Sequence, residues 1–508
     1  MKRSLFILLL SLLMALSLAA CSTAGDDSTD TADTADTTES EDTSTAADEE
    51  EAMDEEEAMD EEEPAVEEES MDEEEAMDEE ETADEEEVMD EEESTDEEEA
   101  MDFQEGCEVD LTGETITLHQ HAGREGPLAA ILGDAFAFAT EDALEDINGA
   151  GGICGATLEV VFRETNYNVD LEVAAYEEAR DFDPKPAIIL TYGSGATIAL
   201  NERVIEDQIV NIAAGLNAEA IYIPENGYTV SSPPIYSDQF AGFVEWAYNN
   251  WSDIKPASAG DDITVCVIGW AGAYGTGAAT PEALDYIAGV DSSITVLPLE
   301  EQPIDPAADA TGLIQSCLLQ GANIIWNQNL SFSVAQVIGT ARALGVWEEA
   351  IYSGVNWTNN IDVINIMAEN AALMDGYYAM FPYLTFTDTD NAGIQQAISN
   401  FEEKGYPDSD RSNSYLTSYA SFFNIAATLR RVVNEHGIEG VTGENYLAAL
   451  TDPEHCTDDE LGILPTNFCD GNRSGRVSQI RRATWMDDHI EYVVVEDFFE
   501  LPDTRPLP

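Results

Sequence analysis

The strongest constraint on the fold comes from residues 187–217, where two apolar segments flank a segment of helical length. Residues 187–191 are apolar without alternation, which is typical of a strand buried on both faces of a parallel sheet. Small residues at 193–195 predict a tight turn, followed by a helix to residue 207 and a second buried strand at 209–213. Both strands therefore end at the same edge of one sheet.

The residues that follow these two strands predict a cradle for a small molecule. Ligands of open α/β sheets bind at the carboxyl edge, where a helix N-terminus also favours a negative group. The candidate binding residues are Ser194, Gly195, Thr197, Ala214 and Asn217. Glycine and serine equally suit an ordinary turn between a strand and a helix, so both interpretations remain open from these residues.

The same alternation of strands and helices runs through most of the chain, with a break at the Ser-Pro-Pro sequence of residues 232–234. Helix-length segments include 126–147, 237–251, 333–344 and 415–435, and the last strands form a hairpin at 476–499. Two alternating runs separated by a break predict an α/β fold with two doubly wound parallel-sheet lobes.

A long acidic segment precedes the predicted lobes. Residues 22–106 contain 45 Asp or Glu and no Lys or Arg, partly as irregular repeats of the type AMDEEE. Such a segment has too few apolar residues to bury and repels itself, so residues 21–106 are predicted to be a disordered linker. We interpret it as a tether; the alternative is a cation-binding tail, although no spacing like that of an EF-hand loop occurs.

The remaining residues, 107–508, are also acidic, with 61 Asp or Glu against 16 Lys or Arg. This balance argues against nucleic acid as a partner, because binding a phosphate backbone requires Lys and Arg. Self-repulsion on this scale destabilises a compact state unless counterions screen it. The sequence indicates either a high-salt habitat or simply an acidic extracytoplasmic protein, and it leaves both open.

Residues 1–20 are typical of a signal peptide, with Lys2 and Arg3 before an apolar run that is too short to span a membrane. Residues 18–21, Leu-Ala-Ala-Cys, resemble the lipobox of bacterial lipoproteins. The resemblance implies a lipid on Cys21 that anchors the protein to the membrane outside the cytoplasm, at the cell surface or in a periplasm. A secreted protein with a chance cysteine is the alternative.

Six further cysteines form an even set, which in an exported chain suggests disulfides. Six cysteines allow fifteen pairings. Proximity along the chain suggests Cys107–Cys154, Cys266–Cys317 and Cys456–Cys469. His119 and His121 share a strand face but lack a third ligand, so we interpret them as core or pocket residues and expect no metal and no cofactor.

Several motifs together resemble a known family, the branched-chain amino-acid-binding lipoproteins of ABC importers, which have the type I periplasmic binding fold. The motifs are Ile-Asn-Gly-Ala-Gly-Gly-Ile-Cys-Gly at 147–155, Tyr-Gly-Ser-Gly-Ala-Thr at 192–197, Ala-Gly-Leu-Asn at 214–217 and Tyr-Gly-Thr-Gly at 274–277. The resemblance implies a hinge of three crossings between two lobes. Lobe one would comprise 107–235 and 383–470, and lobe two 236–382 and 471–508.

The resemblance also assigns binding roles. Ser194 and Asn217 would hold a carboxylate from lobe one, while Tyr274 and Asn327 would contribute from lobe two. Asn356 stands where amino-acid binders carry a glutamate, and an uncharged amide holds an ammonium group less well. A neutral, amide-like solute is therefore as plausible as an amino acid. Trp357 is either a stacking platform for the solute or part of the core.

The predicted function is capture of a small polar solute and its delivery to an ABC importer permease by a monomeric, non-enzymatic lipoprotein. The motifs Gly-x-Ser-x-Gly, Gly-x-x-x-x-Gly-Lys-Ser/Thr and His-Glu-x-x-His do not occur in the sequence. A sensory or regulatory ligand-binding lipoprotein of the same fold is the alternative function.

Overall fold

The structure, a computed structural model, describes residues 106–506 apart from positions 130 and 360. The predicted signal peptide, Cys21 and nearly all of the predicted acidic linker lie outside the described residues. Among the helices that the structure describes, none is long and apolar enough to cross a bilayer.

The described chain contains strands and helices in alternation. The strands are β1 (Thr115–Ala122), β2 (Thr157–Glu164), β3 (Ile188–Thr191), β4 (Val210–Ala213), β5 (Thr229–Val230), β6 (Thr264–Trp270), β7 (Thr295–Val296), β8 (Glu300–Gln302), β9 (Ile324–Gln328), β10 (Ile351–Gly354), β11 (Tyr378–Phe381), β12 (Val477–Trp485) and β13 (Ile490–Glu500). The α-helices are α1 (Gly133–Gly149), α2 (Val169–Arg180), α3 (Ser194–Asp207), α4 (Ala218–Tyr222), α5 (Tyr236–Asn249), α6 (Trp251–Ile254), α7 (Ala273–Thr276), α8 (Pro281–Val290), α9 (Thr311–Leu319), α10 (Ser331–Leu344), α11 (Ile361–Met367), α12 (Ala392–Lys404), α13 (Asn413–His436) and α14 (Gly443–Leu450).

The first sheet has five parallel strands in the order β2-β1-β3-β4-β5. Helices cover both of its faces, which is why the short strand β3 begins with a continuous apolar run. On one face Ile188 and Val210 pack with α1 and α13. On the other face Ile189 packs against Leu200 of α3 and Tyr176 of α2.

The first long helix differs from the prediction. The predicted helix at 126–147 is divided into a 3-10 turn, Gly126–Leu128, and helix α1. Gly126 and Gly133 both have positive φ, 65° and 31°, which interrupts a right-handed helix at each point. Helix α3 begins at Ser194, slightly before the predicted start, and ends at the predicted Asp207.

The second sheet follows the order β13-β12-β11-β10-β9-β6-β7, with β8 paired to β6. Its strands are parallel from β7 to β11, and the terminal hairpin β12–β13 adds two antiparallel strands at one edge. Val267 and Trp326 pack against α5 on one face. Cys266 and Ile325 pack against α9 and α10 on the other face. Both predicted parallel sheets are therefore present.

The chain passes between the sheets after β5, after β11 and before β12. Helices α13 and α14, which follow the second passage, pack against α1 and β4 of the first sheet. The first and third of these connections between the sheets, which we call passages, lie side by side. The Ser231 N–H of the first donates to the Arg473 carbonyl of the third at 2.8 Å. Next to them, Arg476 donates to the buried carboxylate of Asp238 at 2.7 Å.

Three disulfides are present, with the pairing that proximity along the chain suggested. Cys107–Cys154 ties the start of the described chain to the turn before β2, and Cys266–Cys317 joins β6 to α9. Cys456–Cys469 closes a loop between α14 and the third passage.

Candidate functional site

The candidate site is a narrow cavity of about 10 Å³ at the junction of the two sheets. Its walls come from loops that follow the carboxyl ends of parallel strands: β2, β3 and β4 of the first sheet, and β6, β9 and β10 of the second. This is where ligands of open α/β sheets bind. The lining residues are Tyr167, Tyr192, Gly193, Ser194, Ala214, Tyr236, Tyr274, Leu330 and Trp357.

Six aromatic side chains form a series of contacts, which we call the aromatic ring. Five of them line this cavity, and the sixth, Trp270, lines an adjoining cavity. Its successive centroid distances are 5.8 Å for Trp357–Tyr192, 6.5 Å for Tyr192–Tyr167, 6.3 Å for Tyr167–Trp270, 5.9 Å for Trp270–Tyr274 and 5.1 Å for Tyr274–Tyr236. The series closes because the Trp357 indole N–H donates to the Tyr236 hydroxyl at 3.3 Å. Residues far apart in sequence thus come together at this cavity.

Tyr167 reaches the cavity through an unusual turn after β2. Asn166 and Tyr167 both have left-handed backbone conformations, with φ of 50° and 56°. Such values are uncommon for an aromatic residue and persist only where the surroundings enforce them. The ring then packs on the bare backbone of Gly193, since a Cβ there would lie 2.6 Å from Tyr167 Cε2.

The Tyr-Gly-Thr-Gly motif at 274–277 places two other aromatic side chains. The Tyr274 hydroxyl donates to the Asn329 carbonyl at 2.9 Å, which fixes its ring against the loop after β9. A Cβ on Gly275 would lie 1.8 Å from the Trp270 carbonyl oxygen, and one on Gly277 would lie 2.9 Å from Tyr236 Cδ2. Both glycines are therefore required for close approach.

The cavity lining carries no formal charge: no Lys, Arg, His, Asp or Glu is among the described residues that line it. Its tyrosines remain neutral phenols. Burial raises the pKa of Tyr236, while the hydrogen bond that its hydroxyl accepts from Trp357 lowers it in part. Burial is the largest of the causes that raise the pKa values of Tyr192 and Tyr274 well above the usual range.

Two larger cavities adjoin this site. One of about 210 Å³ shares Tyr167, Tyr192 and Tyr274 with it and is also lined by Glu172. The buried Glu172 carboxylate contacts His121 Nδ1 at 2.9 Å. The other, of about 70 Å³, shares Tyr192, Ala214 and Trp357 and extends to hydroxyl side chains of α13.

Four of the predicted binding residues line the cavity together: Ser194, Ala214, Tyr274 and Trp357. Gly195 lines the adjoining cavity of about 210 Å³. The Thr197 hydroxyl instead donates to the Gly193 carbonyl at 2.9 Å. Asn217 caps α4, and its amide donates to the Ala273 carbonyl at 2.7 Å, which joins loops of the two sheets.

Asn327 and Asn356 are fully buried and are not among the described residues that line the cavity. The Asn327 amide donates to the Ser353 carbonyl at 3.0 Å within the second sheet. The Asn356 backbone is held by Gln239, whose side-chain oxygen accepts from its N–H at 3.1 Å, and by the Tyr383 hydroxyl. This backbone anchoring positions the next residue, Trp357.

Sequence reasoning missed Tyr167, Tyr192, Tyr236, Trp270 and Leu330. Tyr192 stands inside the Tyr-Gly-Ser-Gly segment that was singled out, directly after β3, and Trp270 is the last residue of β6. A search for aromatic residues at the carboxyl ends of predicted parallel strands would have found both. Tyr236 begins α5 after the first passage, where nothing in the local pattern marks it.

Comparison with known proteins places the chain in a family. A family model described as periplasmic binding protein matches residues 122–475. The chain belongs to the periplasmic binding protein family. The match spans all the strands that form the walls of the cavity, and the predicted type I periplasmic binding fold is confirmed. No curated protein sequence matches the chain.

Solved structures share the fold of this periplasmic binding protein. A branched-chain amino acid ABC transporter protein from Thermus thermophilus with bound valine has a TM-score of 0.64 at 19% identity, over 77% of this chain and 97% of that one. A fatty acid ABC transporter substrate-binding protein from Thermomonospora curvata has a TM-score of 0.63 at 19% identity, with 79% and 96% covered. A solute-binding protein from Rhodopseudomonas palustris HaA2 with p-hydroxybenzoic acid has a TM-score of 0.61 at 13% identity, with 77% and 98% covered.

Proposed function

We propose that this protein is an extracytoplasmic solute-binding lipoprotein that captures a small polar solute and delivers it to an ABC importer permease. The observation that carries the proposal is the cavity at the junction of the sheets. Its walls, and those of the adjoining cavity of about 210 Å³, are strand-end loops of both sheets, so one solute would contact both. Binding there, without chemical conversion, agrees with the family to which the chain belongs.

The residues around the cavity are largely closed off from solvent. Tyr192, Tyr236, Tyr274 and Trp357 are between 1% and 6% exposed. A solute therefore needs the two sides to separate before it can reach the cavity, as in hinge closure around a ligand. We take the predicted lobes, 107–235 with 383–470 and 236–382 with 471–508, as the two bodies that move.

Closure would be held by contacts that cross the junction. The Asn217 amide donates to the Ala273 carbonyl, and the Trp357 ring packs on the Tyr192 ring with centroids 5.8 Å apart. These contacts form only when the two sides meet, so they would help to define the closed form that a permease recognises. The first N–H groups of α3, at Ser194 and Gly195, lack acceptors within the helix and can donate hydrogen bonds to an acceptor group of the solute.

Thermal unfolding of the full-length chain in high salt tests the proposal. The panel contains amino acids, amides, ureas, polyamines and hydroxybenzoates. A solute at 100 times its dissociation constant stabilises the native state by about 2.7 kcal/mol. For a folded part of this size, that corresponds to a rise of about 3 °C in the unfolding midpoint.

A matched pair of substitutions locates the binding. Ala214→Leu adds a side chain to the cavity lining and should abolish the rise in midpoint. Ala448→Leu makes the same change at an exposed position of α14 and should leave the rise intact. The proposal fails if no member of the panel raises the midpoint, or if Ala214→Leu leaves the rise unchanged.

A further inference from the structure

We propose that the solute carries a protonated amine and that Glu172 binds this group in the cavity of about 210 Å³ beside the aromatic ring. This inference rests on the proposed function, because it names the chemistry of the solute at the same junction. The observation behind it is a buried carboxylate oxygen, Glu172 Oε2, that has no hydrogen-bond partner among the described residues.

The cavity has room for a small solute and lies between loops of the two sheets. Its described lining comes mainly from residues 165–172 after β2, from the start of α3, and from residues 270–274 after β6. Glu172 is the only residue with a formal charge among the described residues that line it. Since a few polar groups determine the specificity of a largely apolar pocket, Glu172 selects the charge of the solute.

The Glu172 carboxylate is bound by the protein through only one of its oxygens. The residue is 1% exposed, and its Oε1 lies 2.9 Å from His121 Nδ1. Its Oε2 has no protein partner. A buried polar group without a hydrogen bond costs free energy, and the cost is larger for a charged group. A donor group on the solute would supply the missing hydrogen bond.

The surroundings of Glu172 favour its ionised form. It lies in the first turn of α2, where the helix N-terminus stabilises a negative charge. In the tautomer with the proton on Nδ1, His121 donates a hydrogen bond to the carboxylate. An ionised carboxylate only accepts hydrogen bonds, so its second partner must be a donor. A protonated amine gives a charge-assisted hydrogen bond, roughly twice as strong as a neutral one.

Other classes of solute fit this lining less well. An anionic group would meet Glu172 with no Lys or Arg beside it among the described lining residues. A quaternary ammonium has no N–H to donate, and an amide or urea donates only a neutral N–H. Over residues 107–508, acidic residues outnumber Lys and Arg by 61 to 16. Such a field raises the local concentration of cations at a cleft.

The proposal places the acidic group on the side opposite to the one that the resemblance implied. Amino-acid binders carry a glutamate where this chain has Asn356, in the loop after β10 of the second sheet. Asn356 is buried and is not among the described residues that line this cavity. Glu172 instead lies on α2, which packs on the first sheet. The first sheet would therefore hold the amine.

A purely structural ion pair explains Glu172 less well. Asp238 shows how this chain satisfies a buried carboxylate with a structural role. Its Oδ2 accepts from Arg476 at 2.7 Å, and its Oδ1 accepts from the N–H and the hydroxyl of Thr504 at 2.8 and 2.7 Å. Buried ion pairs are stable when hydrogen bonds satisfy the remaining lone pairs. Glu172 differs from Asp238 because one oxygen is left for a ligand.

Calorimetric titration of the full-length chain at neutral pH tests the inference with three amines of different size. Putrescine, isopentylamine and 2-phenylethylamine are compared with 1,4-butanediol, isopentanol and 2-phenylethanol, the alcohols of the same carbon skeletons. Each pair differs mainly in the charged N–H donors. We expect at least one amine to bind about tenfold more tightly than its alcohol, or better. If no amine binds more tightly than its alcohol, the inference is wrong.

A matched pair of substitutions tests Glu172 itself. Glu172→Gln keeps the shape of the side chain, removes its charge and should remove most of the preference for the amine. Asp170→Asn removes a charge from an exposed position in the same helical turn, outside the described lining, and should leave the preference unchanged. The unfolding midpoint without solute shows whether each variant folds. Full preference in a folded Glu172→Gln variant, or an equal loss in Asp170→Asn, would overturn the role of Glu172.

The comparison of amine with alcohol on the unmodified protein holds whether or not Glu172→Gln folds. The two proposals also fail in different ways. If an amide, a urea or a hydroxybenzoate from the panel binds at the junction while no amine is preferred to its alcohol, the amine is wrong and solute capture stands. If no member of the panel and none of the matched compounds binds, both proposals are wrong.

Discussion

Gly193→Ala is expected to disturb both the fold and the site through one added methyl group. Gly193 has φ of 106° and ψ of 133°, a conformation that L-residues rarely adopt. Its Cβ would lie 2.6 Å from Tyr167 Cε2, well inside van der Waals contact. The substitution therefore strains the backbone and pushes the Tyr167 ring away from the cavity.

The magnitude follows from these two effects. A residue forced into a sparsely populated backbone region costs about 1–3 kcal/mol, and overpacking adds about 1–3 kcal/mol. Since the Tyr167 ring is on the less buried side of the site and can move partly, we expect a total destabilisation of about 2–5 kcal/mol. Urea unfolding at fixed salt measures it, and solute affinity should fall at least tenfold.

Gly339→Ala is the matched control. Gly339 lies inside α10, and a Cβ there would meet no atom within 4 Å. Alanine in a helix interior is more stable than glycine by about 0.5–1 kcal/mol, so the same methyl group should stabilise the protein. If Gly193→Ala is as stable as the unmodified protein, or is stabilised like Gly339→Ala, the account of Tyr167 is wrong.

Three further predictions concern stability. Burial and the neighbouring His121 and Arg163 lower the pKa of His119 to about 4. Because an unfolded histidine has a pKa near 6.5, the free energy of unfolding should fall by about 3 kcal/mol as the pH falls from about 6.5 to about 4. Urea unfolding between pH 7 and pH 4.5 should show a smaller loss for His119→Gln, and equal losses would refute the assignment. A disulfide that closes a longer loop restricts the unfolded chain more. Replacing both cysteines of Cys266–Cys317 by alanine should therefore lower the free energy of unfolding by about 4 kcal/mol, and the same change at Cys456–Cys469 by about 3 kcal/mol, since the separations are 51 and 13 residues. The reverse order in guanidinium unfolding would contradict this dependence on loop length. Finally, the excess of acidic residues predicts that the unfolding midpoint rises from low to multimolar salt, and an unchanged midpoint would remove the high-salt hypothesis.

The two sheets could be predicted because a strand buried on both faces is marked by a continuous apolar run in its own residues, whatever elements it packs against. The continuous apolar run before Thr191 and the one before Trp270 became β3 and β6. The division of the first long helix was harder to predict, since its apolar positions keep helical spacing across the interruption before Gly133.

The aromatic ring could not be predicted in the same way. Its members lie between Tyr167 and Trp357 and come together only through the arrangement of two sheets. Local patterns mark turn residues such as Ser194 but do not show which loops face one another. In the loop after β10, both Asn356 and Trp357 were predicted to bind the solute, with a place in the core as the alternative for Trp357. The backbone contacts of Asn356 turn Trp357 to the cavity.

The most direct test of solute capture is a crystal structure of the full-length chain with the solute that most raises its unfolding midpoint. The account predicts density for the solute at the aromatic ring, in contact with Ser194 from the first sheet and Tyr274 from the second. Density only in the cavity beneath α13, or only on the outer surface, would contradict the central claim that the junction of the two sheets is the binding site.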